Sequence, residues 1–285
     1  KFIRMEYNFK DLKDKLCVIT GGAGVIGSAL SEGLASVGAK TAILGRNYEK
    51  AEQFAGRLNE TYQTESMPYK ADVLDKENLW EVKNKINQDL GKIDILINCA
   101  GGNSPNAVTE KEILNKEDLD DLEGSFFNLS LEGFDQIYAL NFKGSLLPIM
   151  TFARDMTKKR QGNILNISSM AAITTITKVP AYSAAKSAIT NFTQWLAVHL
   201  GKTGIRVNGI APGFFLTDLN WFLLKDEQGN LTERGEKIIH RTPYGRFGNV
   251  EELVGTMLYL LSDLSRFVTG TVIPVDGGFS AWSGV

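Results

Sequence analysis

Histidine and cysteine are almost missing from this chain: two of each stand among 285 residues. His199 and His240 stand apart from each other and from any cluster of other ligand types, so no metal centre is expected. Cys17 and Cys99 fall inside apolar, strand-like runs. They read as small buried hydrophobes in a reducing compartment, not as a disulfide or a metal pair. Long hydrophobic runs are missing as well. No stretch reaches membrane-spanning length and no signal peptide is visible, so a cytoplasmic location and no membrane partner are expected. Charge of one sign is also missing. The 31 basic and 33 acidic residues are interspersed, which argues against nucleic acid as a partner. There is no internal repeat, low-complexity run or linker. Lys1–Arg4 precede Met5, which makes Met5 a candidate natural start. What remains is enough chain for one large α/β domain with a sizeable core.

The most informative stretch is Tyr182-Ser-Ala-Ala-Lys186, just after Lys178-Val-Pro180. Proline opens a helix readily, because its missing N–H costs nothing at the first position. Ala181, Ala185, Ala188, Ile189, Phe192 and Leu196 then recur at helical spacing. Tyr182 and Lys186, four apart, leave the same face of that helix. A nearby ammonium favours the phenolate, so Lys186 is expected to lower the Tyr182 pKa and make it a usable proton donor and acceptor. Tyr-x-x-x-Lys also arises by chance, so its neighbours decide the matter. Ser169 ends the apolar run Ile164–Ser168, thirteen residues before Tyr182.

The front of the chain carries a second signal. Leu16–Thr20 reads as a buried parallel strand, followed by a glycine-rich turn and a helix with Ile26, Leu30, Leu34 and Val37 on one face. Thr41–Leu44 is the next strand, which completes a dinucleotide-binding βαβ unit. Gly21, Gly22 and Gly24 let the backbone approach a pyrophosphate, and Gly27 lets the helix pack closely on the strand. The helix N-terminus, at Val25 and Ile26, faces the negative charge. At the end of the second strand Gly45 leaves room for a 2′-phosphate and Arg46 can bind it; the alternative is a plain surface arginine. This favours NADP, with NAD possible.

Taken in order, Thr20–Gly24, Asn98-Cys-Ala-Gly101, Ser169, Tyr182/Lys186, Pro212-Gly213 and the ending Asp276-Gly-Gly278 resemble the short-chain dehydrogenase/reductase family from about Leu12 to Gly278. One departure is the turn itself, where the spelling Thr-Gly-x-x-Gly-x-x-Gly puts Gly24 one place early and Val25 in the usual glycine position. The resemblance implies a single doubly wound Rossmann-type α/β domain with about seven parallel strands. It also implies hydride exchange between a nicotinamide dinucleotide and a small-molecule carbonyl or secondary alcohol. By resemblance Ser169 binds the substrate oxygen, Tyr182 passes the proton, Lys186 holds the nicotinamide ribose, and Asn141 holds a water against Lys186. Asp72 and Val73 are implied at the adenine, Asn98, Ala100 and Gly101 at the floor under the cofactor, and Pro212, Gly213 and Thr217 beside the nicotinamide.

The long helix around Asn141 is expected to kink at Pro148. The stretch 102–133 is longer than the family norm, and reads as a surface excursion, an interface flap or a wall of the substrate pocket. Residues 214–241 are expected to form a helical substrate lid. Phe142, Leu146, Ile149, Phe152, Phe192 and Trp195 suggest a second buried face and hence a homotetramer.

The turn spelling, the insertion, Ser169-Met-Ala-Ala172, Lys178-Val-Pro180 and the tail Ser280–Val285 resemble one group within that family, the D-mannonate oxidoreductases, also called fructuronate reductases. Such a substrate is a polyhydroxylated keto acid. Lys178 and Asn103 are placed to bind it, and both could equally be structural or solvent-facing. Two alternatives stay open: a reductase of another carbonyl, such as a ketogluconate or a 3-oxoacyl thioester, and a non-catalytic dinucleotide sensor. The presence of Ser169, Tyr182 and Lys186 argues against the sensor.

Overall fold

The computed structural model describes residues 8–217 and 224–284. Met5, the candidate start, and residues 218–223 of the expected lid lie outside them. The first strand, β1 (Leu16–Thr20), is buried along its whole length, as its unbroken apolar run requires of a strand covered on both faces. It lies between β2 (Lys40–Gly45) and β4 (Ile95–Asn98), and all seven strands run parallel in the order β3-β2-β1-β4-β5-β6-β7. The outer members are β3 (Ser66–Lys70), β5 (Gly162–Ile167), β6 (Ile205–Pro212) and β7 (Val272–Val275). The strand order reverses between β1 and β4, and a crevice opens there at the carboxyl ends of the strands.

Alternate residues of β1 feed two cores. Cys17 and Ile19 pack with Leu30 and Leu34 of α1 (Val25–Ser36), Phe54 of α2 (Tyr48–Tyr62) and Met257 of the C-terminal helix. Leu16 and Val18 pack on the other face with Leu79 of α3 (Lys76–Asp89), Phe152 of α5 (Gly144–Lys159) and Leu196 of α6 (Pro180–Leu200). This is the expected doubly wound arrangement. Asp75 caps α3, accepting from Asn78 N at 2.9 Å.

Two details differ from expectation. Pro148 sits inside α5 without interrupting it; the irregularity comes just before, where Ala139–Lys143 forms a π turn and Gly144 N donates to Ala139 O. Among the described residues of 214–241 only part is helical: a bridge pairs Lys225 with Leu231, and the helix α7 spans Glu233–His240. The insertion holds three short 3-10 turns (Pro105–Ala107, Lys116–Asp118, Phe126–Asn128) and ends in α4 (Leu131–Tyr138). The C-terminal helix α8 covers Val254–Leu261. Of the apolar side chains noted on α5 and α6, Ile149 and Phe152 face the sheet. Trp195 stays exposed, stacked between Phe192 and His199, with Val198 and Met150 also exposed. Among the described residues no helix is long and apolar enough to cross a membrane.

Candidate active site

The crevice begins where β1 ends. The buried Thr20 hydroxyl accepts from Cys99 N and Ala100 N, both at 3.1 Å, and locks the ends of β1 and β4 together. Gly21 then turns through φ +64°, in the left-handed region, and a Cβ there would meet Ala100 Cα at 3.1 Å. A Cβ on Gly27 would lie 2.1 Å from the Gly21 carbonyl oxygen, so only glycine lets α1 start this close to the turn. Gly24 is the N-cap of α1. It offers no side-chain cap, and the first turn holds no acid. The first N–H groups, from Val25 to Gly27, therefore remain to bind an anion at the positive end of the helix. The Gly-rich cradle fits the pyrophosphate of a dinucleotide. Gly22 has a different role. Its N–H donates to Leu44 O at 3.2 Å, and the residue packs back against Ile19 and Ile43.

From this cradle a cavity of about 400 Å³ runs to the start of α6. Ser169, Tyr182 and Lys186 line its far end. Pro180 opens α6, and Tyr182 and Lys186 follow one turn apart, with Lys186 Nζ 5.5 Å from the centre of the Tyr182 ring. Lys186 Nζ donates to Ile167 O at 2.8 Å. Ser168 Oγ donates to Lys186 O at 3.2 Å and pairs with Thr190 Oγ1 at 2.6 Å, which pins α6 to the end of β5. Ser169 Oγ accepts from Ala171 N at 3.1 Å.

Burial governs the proton affinities here. It draws the Lys186 ammonium down to about 8 and pushes the Cys99 thiol up to about 12. It also raises the Tyr182 phenol, and the neighbouring Ser169 hydroxyl pulls that phenol back. The expected lowering of Tyr182 by Lys186 is not found. The ammonium is directed at the Ile167 carbonyl, and Ser169 is the group that favours the phenolate.

Asn141 lies in the π turn, fully buried. Its amide donates to Gly102 O at 2.7 Å and Ile137 O at 2.9 Å, and its carbonyl accepts from Gly102 N at 3.2 Å. Both amide N–H groups are thus used by the backbone. A Cβ on Gly101 would stand 2.7 Å from Asn141 Oδ1 and 3.4 Å from Lys186 Nζ, so Gly101 keeps these two groups close together.

Of the other sequence-selected residues, Gly21, Gly24, Val25, Ile26, Gly27, Ala100, Gly101, Asn103, Pro212, Gly213 and Thr217 line the cavity. Several do not. Asn98 is buried behind the floor, donating to Asn166 Oδ1 at 2.8 Å, and Asn166 in turn donates to Thr193 Oγ1 at 2.9 Å. It supports the floor from below. Asp72 and Val73 stand beyond the cavity; Asp72 Oδ1 accepts from Leu74 N at 2.9 Å, while Val73 packs against Gly144. Arg46 is exposed at the end of β2, where a Cβ on Gly45 would meet only Asn47 O, at 3.9 Å. Lys178 is the main misplacement. Its backbone takes φ +72°, and it lines a second, outer cavity of about 520 Å³ instead of the inner one.

The outer cavity shares Ala171, Ile176 and Val179 with the inner one, and Thr109, Glu112 and Phe126 of the insertion form its wall. Where the two meet stands Arg234 of α7, which lines the inner cavity. Its Nη1 donates to Glu112 Oε1 at 2.8 Å and Thr177 Oγ1 at 3.4 Å, and its Nη2 to Thr177 O at 3.3 Å. Sequence reading missed Arg234, and also Cys99, Phe214, Phe215 and Leu224 on the same lining. The one local signal was Thr232, which caps α7 by accepting from Gly235 N at 3.1 Å.

A parallel sheet with a glycine cradle at its switch point, and a Ser/Tyr/Lys group facing that cradle, define a dinucleotide-dependent oxidoreductase. A family model described as enoyl-(acyl carrier protein) reductase matches residues 21–280, and the chain belongs to the short-chain dehydrogenase/reductase family, whose members act on alcohol or carbonyl groups. An oxidoreductase of Haemophilus influenzae, described as uncharacterized, is 50% identical over 276 residues, 96% of this chain and 96% of its own. A crystal structure from the same species, provisionally described as a D-mannonate oxidoreductase and holding NAD, matches with a TM-score of 0.91 at 49% identity, over 97% of this chain and 99% of that one. A gluconate 5-dehydrogenase from Burkholderia cenocepacia, in complex with NADP and tartrate, matches with a TM-score of 0.81 at 28% identity, over 96% of this chain and 99% of that one.

Proposed function

We propose that the protein interconverts the keto group of a sugar acid and the corresponding secondary alcohol, with D-fructuronate and D-mannonate as the pair. The observation that carries this reading is the inner cavity. It brings Ser169, Tyr182 and Lys186 to one end, and among the described residues its lining holds two cations, Lys186 and Arg234, and no Asp or Glu. A carboxylate-bearing substrate is favoured there and a cationic one is not. The likeness to the Haemophilus influenzae structure supports the same choice.

Gly21, Gly24, Val25, Ile26 and Gly27 would hold the dinucleotide's pyrophosphate, with Ala100 and Gly101 on the floor and Pro212, Gly213 and Thr217 on the opposite side. When bound, the nicotinamide supplies or takes the hydride. Ser169 orients the substrate oxygen, and Tyr182 gives or takes its proton as that oxygen gains or loses charge. Lys186, brought to about 8 by burial, exchanges protons close to neutral pH. It is therefore suited to re-protonate the Tyr182 side of the cavity from the side where Asn141 lies. Ser169, Tyr182 and Lys186 also argue against a non-catalytic sensor.

The absence of an acidic side chain at Gly45 and the exposed guanidinium of Arg46 favour NADP. The relatives are divided on this point, one holding NAD and another NADP. Trp195, Val198 and Met150, exposed on α6 and α5, support the expected homotetramer, since closed two-fold assembly is the common way to cover such a face. Light scattering at micromolar protein would check it.

The deciding experiment follows NADPH and NADH oxidation by absorbance against D-fructuronate, 5-ketogluconate, a 3-oxoacyl thioester and D-fructose. Highest kcat/KM on D-fructuronate is the expected result. A preference for the ketogluconate would move the assignment to a different sugar acid. A preference for the thioester or for fructose would overturn it.

A further inference from the structure

Arg234 has unused capacity. A guanidinium offers five N–H donors. Nη1 spends its two on Glu112 and Thr177, and Nη2 spends one on the Thr177 carbonyl. That leaves Nε–H and one Nη2–H. These two donors share one edge of the planar group, the edge that pairs bidentately with a carboxylate.

The group is also held in place. Glu112 belongs to the insertion, Thr177 to the loop before α6, and Arg234 to the lid helix, so three separate segments fix one side chain. The lid helix is fixed in turn. Thr232 N donates to Leu224 O at 3.1 Å, and a Cβ on Gly235 would come within 2.5 Å of that same carbonyl. Glu112 does not leave the area neutral. Lys237 lies 3.6 Å from its second oxygen and 2.8 Å from Glu233. With Lys178 close enough to Glu233 to lower its pKa, three cations face two acids.

We propose that Arg234 is the specificity-determining residue for the substrate carboxylate. Glu112 serves as its positioning residue, which gives the 102–133 insertion a role in substrate choice. The inference rests on the acid-substrate reading above and names the residue behind it. The carboxylate receives the Nε–H and Nη2–H pair from the mouth of the inner cavity, while the keto group lies toward Ser169 and Tyr182. The contact is the same before and during the reaction, so it acts on KM and not on kcat.

The test compares D-fructuronate with D-fructose, which carries CH2OH in place of the carboxylate. Wild type, Arg234→Met, Arg234→Lys and Glu112→Gln are measured. Calorimetric titration with D-mannonate adds a readout independent of turnover. Arg234→Met is expected to raise KM for fructuronate and Kd for mannonate at least tenfold, with fructose kinetics within threefold of wild type. Arg234→Lys keeps the charge and loses the fork, and should fall between. Glu112→Gln still accepts from Nη1 but removes the compensating charge, so mannonate should bind as tightly as to wild type or more tightly. A mere tether between lid and insertion predicts parallel losses on both substrates in all three variants. That result, or a fructuronate-to-fructose ratio unchanged in Arg234→Met, would overturn the role of Arg234 alone. A wild-type enzyme that takes fructose and ignores fructuronate would instead sink the acid-substrate reading, and this inference with it.

Discussion

Lys186 should make the protein less stable at neutral pH than it would be without that ammonium, and the effect should vanish in alkali. The ordinary value of the group is 10.5, and burial brings it to about 8. The unfolded chain therefore holds this proton more tightly than the folded one. That lowering amounts to about 3 kcal/mol against folding at pH 7. That penalty is full below about pH 8, fades between about 8 and 10.5, and is gone above. Lys186→Met removes it but leaves the Ile167 carbonyl without its donor, at a cost of about 1–3 kcal/mol. At pH 7 the two effects nearly offset, so the variant should unfold close to wild type. At pH 10 the wild type should have gained about 2 kcal/mol relative to the variant. The lost hydrogen bond and altered packing are the same at both pH values, so the change in the difference isolates the ammonium. Neither close neighbour titrates in the window, because Cys99 is pushed up to about 12 and Tyr182 is raised as well. The assay is urea unfolding at pH 7 and pH 10, at one protein concentration and with no added dinucleotide, since a bound ligand would add its own linkage. A wild-type minus variant difference that moves by less than about 0.5 kcal/mol between the two pH values would refute the reasoning.

Tyr182→Phe should fold and bind dinucleotide as wild type does yet lose nearly all turnover, because one hydroxyl on a half-buried ring is removed; a tenth of wild-type turnover would mean another group passes the proton. Arg46→Ala should raise KM for NADPH roughly tenfold or more, the worth of about 1.5–3 kcal/mol for a charge-assisted hydrogen bond, and leave NADH use nearly unchanged. Equal effects on both cofactors would remove Arg46 from 2′-phosphate recognition. Lys178→Gly relieves a left-handed backbone at φ +72°. It should leave stability about level and keep KM for fructuronate within twofold; a tenfold rise confined to acidic substrates would reinstate Lys178 as the carboxylate ligand.

The fold and the meeting of Tyr182 with Lys186 at one end of the cavity were legible because their signals are local. β1 is an unbroken apolar run, the turn at Gly21 needs a left-handed residue, and Tyr182 and Lys186 meet through one turn of one helix. Chain position alone does not show what a side chain meets. Asn98 stands at the end of β4, beside residues that line the crevice, but the strand's alternation sends it inward to Asn166. Asp72 spends one carboxylate oxygen on its own turn at Leu74 N. Lys186 was expected to act on Tyr182 through proximity, yet its ammonium has the Ile167 carbonyl as a nearer partner.

Lys178 shows the same limit more sharply. The chemistry of an acid substrate calls for a cation near the loop that brackets Ser169 and Tyr182, and Lys178 is the loop's own basic residue. A positive φ turns its Cβ away from where an extended residue would send it, and the side chain lines the outer cavity. A cation does reach that loop, but it comes from α7. Arg234 bonds the backbone carbonyl of Thr177, the residue just before Lys178. Its anchor, Glu112, lies 122 positions away in sequence. No periodicity or spacing rule spans such a distance, because the pairing depends on how the insertion and the lid fold over the same opening. Both segments leave carboxyl-end edges of the sheet, the insertion after β4 and the lid after β6. The sheet topology therefore brings them together, away from the motifs that define the family.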